Sequence, residues 1–254
     1  MLQKRSTRVA GLLLAALSLS GCAIKTPHLA ISQWPVTSRA LYYNEPAPYR
    51  LGVLPLVDQR PVQERKGQRP QGVFLLLWNR RTGDYYTSDQ IFGDQVAEQL
   101  SRQLAKYLQV ANTFTHVTPV SSLPRGFSPE SLQDVAREHE VDYLLGGDVR
   151  HFFGSQHQHF SMWVLPLYFL TTSAWSDAKT LPWGQSAVQF YLFDGRTGDM
   201  MWRHQLEASK TLPRETDSMA EAAMESFVQV AGDLAIELRQ LPLDSFPAVA
   251  MSDR

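Results

Sequence analysis

Three aspartates are the first side chains of this sequence whose type and position could support catalysis. Asp58, Asp142 and Asp148 follow or interrupt apolar runs of the kind that form buried strands. Carboxylates that converge at one sheet edge can act as a general acid and base. An aspartate at a strand end also commonly caps a turn or a helix, and this second interpretation requires no convergence.

Three histidines form the only pattern that suggests a metal site. His151, His157 and His159 occupy odd-numbered positions, so on a continued strand they would share one face with Phe153. His157 and His159 could together bind an ion such as zinc, whereas His151 is too distant on a straight strand at about 3.3 Å per residue. No cysteine or nearby acidic residue completes a ligand set. We therefore predict no metal and no other cofactor, and interpret the histidines as polar residues on a sheet face.

The sequence also lacks the motifs of the common catalytic machineries. It contains no Gly-x-Ser-x-Gly elbow, no His-Glu-x-x-His zinc motif and no phosphate-binding loop, and it has no second cysteine to serve as a nucleophile. We predict that the protein is not an enzyme. A metal-dependent periplasmic enzyme remains an alternative.

The sequence around the single cysteine indicates lipid attachment instead of catalysis. A basic start with Lys4, Arg5 and Arg8 leads into an apolar run that is too short to span a bilayer, which requires about 20 apolar residues. The run ends in Leu19-Ser20-Gly21-Cys22. This order is typical of a cleaved export signal.

The four residues at the end of the signal resemble the bacterial lipobox at every position. The resemblance implies that signal peptidase II recognises Leu19, Ser20 and Gly21, and that Cys22 becomes the acylated first residue of the mature chain. Two or more acyl chains hold a protein stably on a membrane. Ala23, in place of the aspartate that retains such proteins at the inner membrane, implies the outer membrane. An ordinary signal peptide is the alternative.

Charge and composition limit the classes of protein to which this chain can belong. The chain has 24 Lys plus Arg against 25 Asp plus Glu, and three of the basic residues lie within the signal. The mature protein is therefore acidic overall and has no electrostatic footprint for nucleic acid. With 44% hydrophobic and 19% charged residues, it is expected to fold around a sizeable core.

Hydrophobic periodicity predicts one α/β domain with a mixed β-sheet and three main helices. Each helix begins at a capping signal: Thr87 with Gln90, Ser128 with Pro129, and Ser218 with Glu221. The predicted strands and hairpin arms are 51–57, 72–78, 85–87, 114–120, 141–153, 185–193 and 200–208. The first helix is expected to run for about 20 residues from Thr87.

The expected organisation has four parts. Residues 1–21 form the signal peptide, 22–49 the lipidated N-terminus and a Pro-bearing tether, 50–242 the α/β domain, and 243–254 a tail. The aromatic residues of the tether suggest that part of it packs on the domain. Residues 59–71 are expected to form a loop, and residues 154–184 an apolar insertion.

The insertion contains the strongest anomaly of composition, an uncharged stretch from Phe160 to Trp175 that Pro166 interrupts. It is too short and too broken for a spanning helix. It either folds over the domain's own core or forms a subunit interface or membrane contact. The candidate contact residues are Trp163, Leu165, Leu167, Tyr168, Phe169, Trp175 and Trp183.

Glycine-bearing motifs are interpreted as local structure. Arg81-Thr-Gly-Asp84 recurs as Arg196-Thr-Gly-Asp199, and each copy lies between apolar extended runs, so a hairpin turn explains both. Gly146-Gly147 within a strand predicts a bulge or a close backbone approach and not a phosphate cradle.

Three segments together resemble the CsgG-like envelope lipoproteins, a group that includes PelC-like and LpoB-like proteins. These are the opening strand 51–58, the strand 141–148 that follows a short helix, and the closing pair 190–202. The resemblance covers residues 50–241. It implies a layer like that of CsgG and of the TolB N-terminal domain, anchored at the outer membrane and often assembled into rings.

The resemblance gives two expectations about function. In the first, an outer-membrane lipoprotein faces the periplasm as a structural or assembly component of an export or polysaccharide complex, with a homo-oligomer or an envelope protein as its partner. In the second, a lipoprotein regulator binds and activates a cell-wall synthase. A secretion pore is not expected, because 160–175 lacks the alternation of apolar and polar residues found in barrel strands.

Overall fold

The architecture is that of a computed structural model, and it agrees with the predicted mixed α/β sheet. The described residues are 29–36, 42–67, 72–75, 78–87, 89–93, 95–121, 127–163 and 178–243. The strands are β1 Ala47–Val53, β2 Val57–Asp58, β3 Gly72–Leu75, β4 Trp78–Tyr86, β5 Phe114–Pro119, β6 Tyr143–Trp163, β7 Ala178–Lys179, β8 Trp183–Asp194 and β9 Met200–Thr211. The helices are α1 Val62–Lys66, α2 Asp89–Phe92, α3 Val96–Val110, α4 Pro129–Glu138 and α5 Met219–Gln240, and a 3-10 turn spans Ile31–Gln33.

The long strand β6 is the centre of the sheet. Along one side it pairs in parallel with β1 and β2 and then antiparallel with β4, and along the other it pairs antiparallel with β8 and β7. β5 adds to β1 in parallel, β3 to β4 and β9 to β8. Parallel and antiparallel neighbours therefore share one sheet, which confirms the predicted fold class.

The helices cover opposite faces of this sheet. Leu145 of β6 belongs to the larger hydrophobic cluster, which includes residues of α3 and α5, whereas the preceding Leu144 belongs to a smaller cluster with Leu132 and Val135 of α4. Because consecutive strand residues point to opposite faces, α3 and α5 lie on one face and α4 on the other. The three main helices of the prediction are present.

Capping explains where two of the helices begin. The Ser128 hydroxyl accepts a hydrogen bond from the Ser131 amide, and Pro129 occupies the first helical position of α4. At the start of α5, Ser218 and Glu221 form the complete reciprocal capping box. Both helix starts are as predicted.

The predicted 20-residue helix is instead broken into α2 and α3. Gly93 has φ +86° and Gln95 has φ +60°, left-handed conformations that a continuous α-helix does not contain. The predicted capping pair is also wrong at Thr87. Its hydroxyl accepts a hydrogen bond from the Gly154 amide of β6, so a tertiary contact replaces the local cap.

A second correction concerns the first hairpin. Residues 79–84, predicted as its turn, lie inside β4 and pair with both β3 and β6. Since Leu75 pairs with Trp78, the chain reverses two residues before the predicted turn begins. The long register with β6 overrides the local turn signal of Arg81-Thr-Gly-Asp84. The segment 59–71, predicted as a loop, also contains α1.

The far half of β6 extends past the helix layer. α5 begins at Met219, whose carbonyl lies against Gly154, and it is followed by Leu243, whose carbonyl accepts a hydrogen bond from Tyr143 at the start of β6. Residues 155–163 of β6 therefore lie beyond α5, paired with β4 from Tyr86 to Trp78. We call β3, β4 and residues 155–163 the ribbon. Its nine β4–β6 pairs extend for about 27 Å.

Within the predicted tether, two described segments pack on the domain. Leu29 donates its amide to the Ile91 carbonyl of α2 at 2.7 Å, and Ile31 is fully buried in the larger hydrophobic cluster together with Val36. Gln103 of α3 donates to the Trp34 carbonyl. No helix within the described ranges has the length and apolar character needed to cross a bilayer.

Candidate functional site

A pocket of about 370 Å³ opens on the sheet face that carries α4. Leu144, Gly146 and Asp148 alternate along β6 on this face, and Tyr191 and Phe193 of β8 line the pocket beside them. The described residues that line the pocket are Val57, Gln59, Phe127, Gly147, Asp148, Tyr191, Phe193 and Met200. The volume lies in the range of small-molecule sites, roughly 300–1,000 Å³.

The topology of the sheet accounts for a crevice at this place. After β1 the chain reaches β5 by way of α3 on one face, and after β5 it reaches β6 by way of α4 on the other. Two neighbouring parallel strands are thus followed by connections on opposite faces, which leaves a crevice beyond their carboxyl ends. Val57 and Gln59 follow β1, and Phe127 follows β5.

A buried carboxylate is the polar centre of the pocket. Asp148 is 8% exposed, and its Oδ2 accepts hydrogen bonds from the Tyr191 hydroxyl at 2.7 Å and from Arg150 at 3.3 Å. Its Oδ1 accepts no hydrogen bond from any described residue. Burial raises the pKa of Tyr191, and the hydrogen bond to Asp148 raises it further. Tyr191 is therefore a neutral donor at neutral pH.

The walls of the pocket are aromatic and apolar. Phe127 stacks on Phe193 with ring centroids 6.2 Å apart and an interplanar angle of 18°, and Phe193 lies 6.4 Å from Tyr191. The Arg203 guanidinium lies 5.6 Å from the centroid of the Tyr191 ring. Phe127 and Met200 are each 49% exposed at the rim. Two large apolar side chains therefore flank the entrance in contact with water.

The three predicted carboxylates do not converge. Asp142 accepts the Arg50 amide at the start of β6, and it lies six residues from Asp148 along one strand, or about 20 Å. Asp58 lies beside Val149 in the pairing of β2 with β6, but its side chain is bound to Arg60. Only Asp148 lines the pocket, so an aspartate pair for acid–base catalysis is not present among these residues.

Asp58 instead belongs to a buried ion cluster. The Arg60 side chain is 1% exposed and lies between Asp58 at 2.7 Å and Asp89 at 3.0 Å. Burial alone would raise the pKa of Asp58, but hydrogen bonds from Arg60 and its charge lower it overall. At Asp89 burial outweighs the same partner, so its pKa is raised. The cluster joins the segment after β2 to α2.

The three histidines lie on β6, the strand predicted to carry them. His151 and Phe153 both line a second pocket of about 240 Å³, as expected for residues of one face, and His151 Nδ1 lies 2.7 Å from a Glu64 oxygen of α1. His157 binds Thr180 through its backbone, and His159 pairs with Ala178 of β7. In the described part of the chain, no group of three or more potential ligands is placed to hold a metal ion.

The glycine motifs have structural explanations. A Cβ atom on Gly147 would lie 2.7 Å from the Gln189 carbonyl oxygen, so the predicted close approach is confirmed, while the irregularity in the β6–β8 register falls later, between Val149 and His151. The Arg196–Asp199 copy of the repeated motif is the predicted turn before β9. A Cβ atom on Gly198 would lie 2.2 Å from the Pro129 carbonyl oxygen.

The remaining predicted site residues are largely outside the described part of the chain. Trp163 ends β6, where it pairs with Trp78, and Trp183 packs edge-on against Phe153 with centroids 5.4 Å apart. The residues outside the described part are Leu19, Ser20, Gly21, Cys22, Leu165, Leu167, Tyr168, Phe169 and Trp175.

Sequence reasoning overlooked most of the pocket. Tyr191, Phe193 and Met200 belong to the predicted closing hairpin, and the alternation of Gln189, Tyr191 and Phe193 placed them on one face. Opposite Tyr191 in the register is Gly146, which leaves room above β6. The exposed Phe127 had no signal of its own, because its position depends on how the chain leaves β5.

No protein-family model and no curated relative matches this chain. Similar solved structures include protein XCC0632 from Xanthomonas campestris, with 14% identity, a TM-score of 0.46 and coverage of 78% of this chain and 89% of that one. They also include the PelC dodecamer of Paraburkholderia phytofirmans, with 12% identity, a TM-score of 0.36 and coverage of 75% and 93%. The LpoB C-terminal domain of Salmonella enterica has 12% identity, a TM-score of 0.28 and coverage of 65% and 86%.

Proposed function

We propose that this chain is a lipoprotein anchored in the bacterial outer membrane, with its domain in the periplasm, and that it serves as a non-enzymatic component of an envelope complex. The observation that carries the proposal is Leu19-Ser20-Gly21-Cys22 at the end of a basic and apolar signal. Acyl chains on Cys22 attach the protein to the membrane, and the folded domain acts through its surfaces.

The N-terminal packing supports a short anchor. Leu29 is bound to α2 and Ile31 is buried, so only the six residues 23–28 separate Cys22 from Leu29. The seven Cα–Cα steps from Cys22 to Leu29 span at most about 25 Å. The proposed anchor therefore keeps the domain close to the membrane instead of on a long flexible tether.

The ribbon begins near the point where this anchor reaches the domain. Leu29 contacts α2, which follows β4, and Thr87 after β4 binds Gly154 at the base of the ribbon. The ribbon extends for about 27 Å, close to the reach of the anchor. Its far end, where Trp78 pairs with Trp163, can therefore approach the same membrane surface. We propose that this end and the apolar stretch after Trp163 contact a neighbouring copy or an envelope partner.

Lipid attachment has a direct test in growing cells. Labelled palmitate should enter the wild-type protein and not the Cys22→Ser variant, which should accumulate with its signal uncleaved. Ala23→Asp should still be labelled but should move to the inner-membrane fraction, which tests sorting separately from acylation. Equal labelling of Cys22→Ser and wild type would overturn the anchor.

The deletion that tests the contact surface must spare those residues of the uncharged stretch that belong to β6. Residues 160–163 pair with β4, so the variant should replace only residues 164–177 with a short Gly/Ser loop. We expect it to retain the helix signal of the wild type in circular dichroism and to lose assembly in light scattering. Asp134→Asn, at an exposed position of α4, is the control and should keep the assembly. An unchanged assembly mass would contradict the interface.

Crosslinking in intact envelopes distinguishes the partners. Recovery of the same chain supports a ring or other homo-oligomer, and recovery of a cell-wall synthase supports the regulator. Recovery of neither, with full acylation, would contradict the complex while leaving the anchor in place. Metal analysis and turnover assays of the purified protein address the enzyme alternative.

A further inference from the structure

We propose that the pocket centred on Asp148 binds an aromatic or branched apolar group that carries a protonated amine. The amine would donate to Asp148 Oδ1, and the apolar body would lie between Phe127, Phe193 and Met200. This inference rests on the pocket alone and holds whether or not the chain is acylated. The ligand class is defined by these two chemical features, the apolar body and the protonated amine.

The Asp148 carboxylate favours a ligand that donates a hydrogen bond. Among the described residues that line the pocket, Asp148 is the only charged one. The Oδ2 oxygen of Asp148 has two donors, whereas Oδ1 has none among the described residues and is not one of the fully buried polar atoms without a partner, so it is open to the pocket. A donor that enters the pocket would therefore replace water at Oδ1. A protonated amine makes the strongest such bond because both partners are charged.

The partners of Asp148 determine which ligands are rejected. Arg150 and Tyr191 both donate to Oδ2, and a carboxylate oxygen has no hydrogen to donate, so Oδ1 accepts hydrogen bonds and gives none. A carboxylate ligand would place two acceptors face to face. We therefore expect the order of affinity ammonium, then alcohol, then carboxylate for ligands with the same apolar body.

The exposed apolar side chains at the rim of the pocket favour a ligand with an apolar body. Phe127 and Met200 are each 49% exposed although Phe127 is already stacked on Phe193. A ring inserted between Phe127 and Met200 would remove apolar surface from water at little conformational cost, because most of the described lining residues belong to strands. A volume of about 370 Å³ suits one ring with a short chain.

The experiment uses a fluorinated amine as the probe and the mature full-length chain in detergent. Line broadening of 4-fluorophenylethylammonium in fluorine NMR reports binding, and the probe in the same detergent without protein corrects for partition into micelles. We expect Asp148→Asn to weaken binding by about tenfold or more, since a charge-assisted hydrogen bond is lost. Phe127→Ala should weaken it several-fold.

Controls separate the pocket from general charge and folding. Asp134→Asn removes an exposed carboxylate of α4, 74% accessible and paired with Arg137, and should leave binding unchanged. If Asp148→Asn alters the fold in near-UV circular dichroism, the exposed Phe127 still gives a test. Equal binding of 3-(4-fluorophenyl)propionate, or unchanged binding in Phe127→Ala, would overturn the proposal.

Discussion

At the scale of single residues, Arg60 is a buried cation that two carboxylates stabilise. Its guanidinium is almost completely buried, and it binds both oxygens of Asp58 and also Asp89. A buried charge is stable only while its partners remain, because the desolvation cost is otherwise uncompensated. The cluster is therefore a sensitive point of stability between β2 and α2.

We predict that Asp58→Asn lowers the free energy of unfolding by about 3 kcal/mol, because it breaks the two-pronged contact and leaves Arg60 with one partner. Asp89→Asn should cost less than Asp58→Asn, because the raised pKa of Asp89 shows that burial outweighs its contact with Arg60 when it is ionised. Urea denaturation at pH 7 measures both. As a control, Asp134→Asn, in an exposed pair, should change little. Equal and negligible effects at all three positions would contradict a stabilising role for the cluster.

The same variants should change the pH dependence in opposite directions. The pKa of Asp58 is lowered in the folded protein, so its stabilisation is present above its unfolded pKa, about 3.9, and is lost as pH falls through the folded pKa. The pKa of Asp89 is raised, so its contribution is present below the unfolded pKa and is lost as pH rises through the folded one. Unfolding measured between about pH 3 and pH 6 should therefore show a shallower rise with pH in Asp58→Asn and a steeper one in Asp89→Asn.

At the scale of elements, local signals predicted helix starts better than helix lengths. The caps at Ser128 and Ser218 lie where the sequence indicates them, because a cap depends on residues within one turn. The break between α2 and α3 was missed because Phe92 and Val96 keep the helical spacing across it. The break depends on contacts of Thr87 and Leu29 with other elements, which periodicity does not record.

We predict that Ser218→Ala lowers the free energy of unfolding by about 1 kcal/mol. The variant removes the hydroxyl that accepts a hydrogen bond from the Ala220 amide at the start of α5. The Glu221 carboxylate still accepts from the backbone amide of residue 218. Thr216→Ala, at an exposed position just before the helix, is the matched control. Thermal or urea unfolding compares them, and a smaller loss in Ser218→Ala than in Thr216→Ala would show that the cap contributes nothing.

At the scale of the whole molecule, the sheet was predictable and the site was not. Runs such as 141–149 and 185–193 identify strands because both of their faces are buried or alternate clearly. The pocket is assembled from segments around residues 57, 127, 148 and 191, which are far apart in sequence and meet only through the β6 register. Of its members, only Asp148 and Gly147 stand out in the sequence, and of the two interpretations of Asp148 the convergence with Asp58 and Asp142 is wrong.

The N-terminal boundary of the folded body gives the final prediction. Ile31 is fully buried and Val36 nearly so, and Tyr49 packs edge-on against Tyr143 with centroids 5.2 Å apart. Fully burying one aliphatic side chain contributes about 1.5–3 kcal/mol. A chain that begins at residue 50 loses these contacts and the first three residues of β1. It should therefore be less stable than one that begins at residue 29 by about 3 kcal/mol or more.

Urea unfolding of the two truncated chains measures the difference, and the slope of the transition reports the surface that each one buries. The chain from residue 29 should unfold in one cooperative step with the larger slope. If the chain from residue 50 is equally stable, the N-terminal segment contributes nothing to the body. The segment between Cys22 and residue 50 would then act as a longer tether in place of the short anchor. The domain would no longer be held at a short distance from the membrane, so the end of the ribbon could not be placed near the membrane surface.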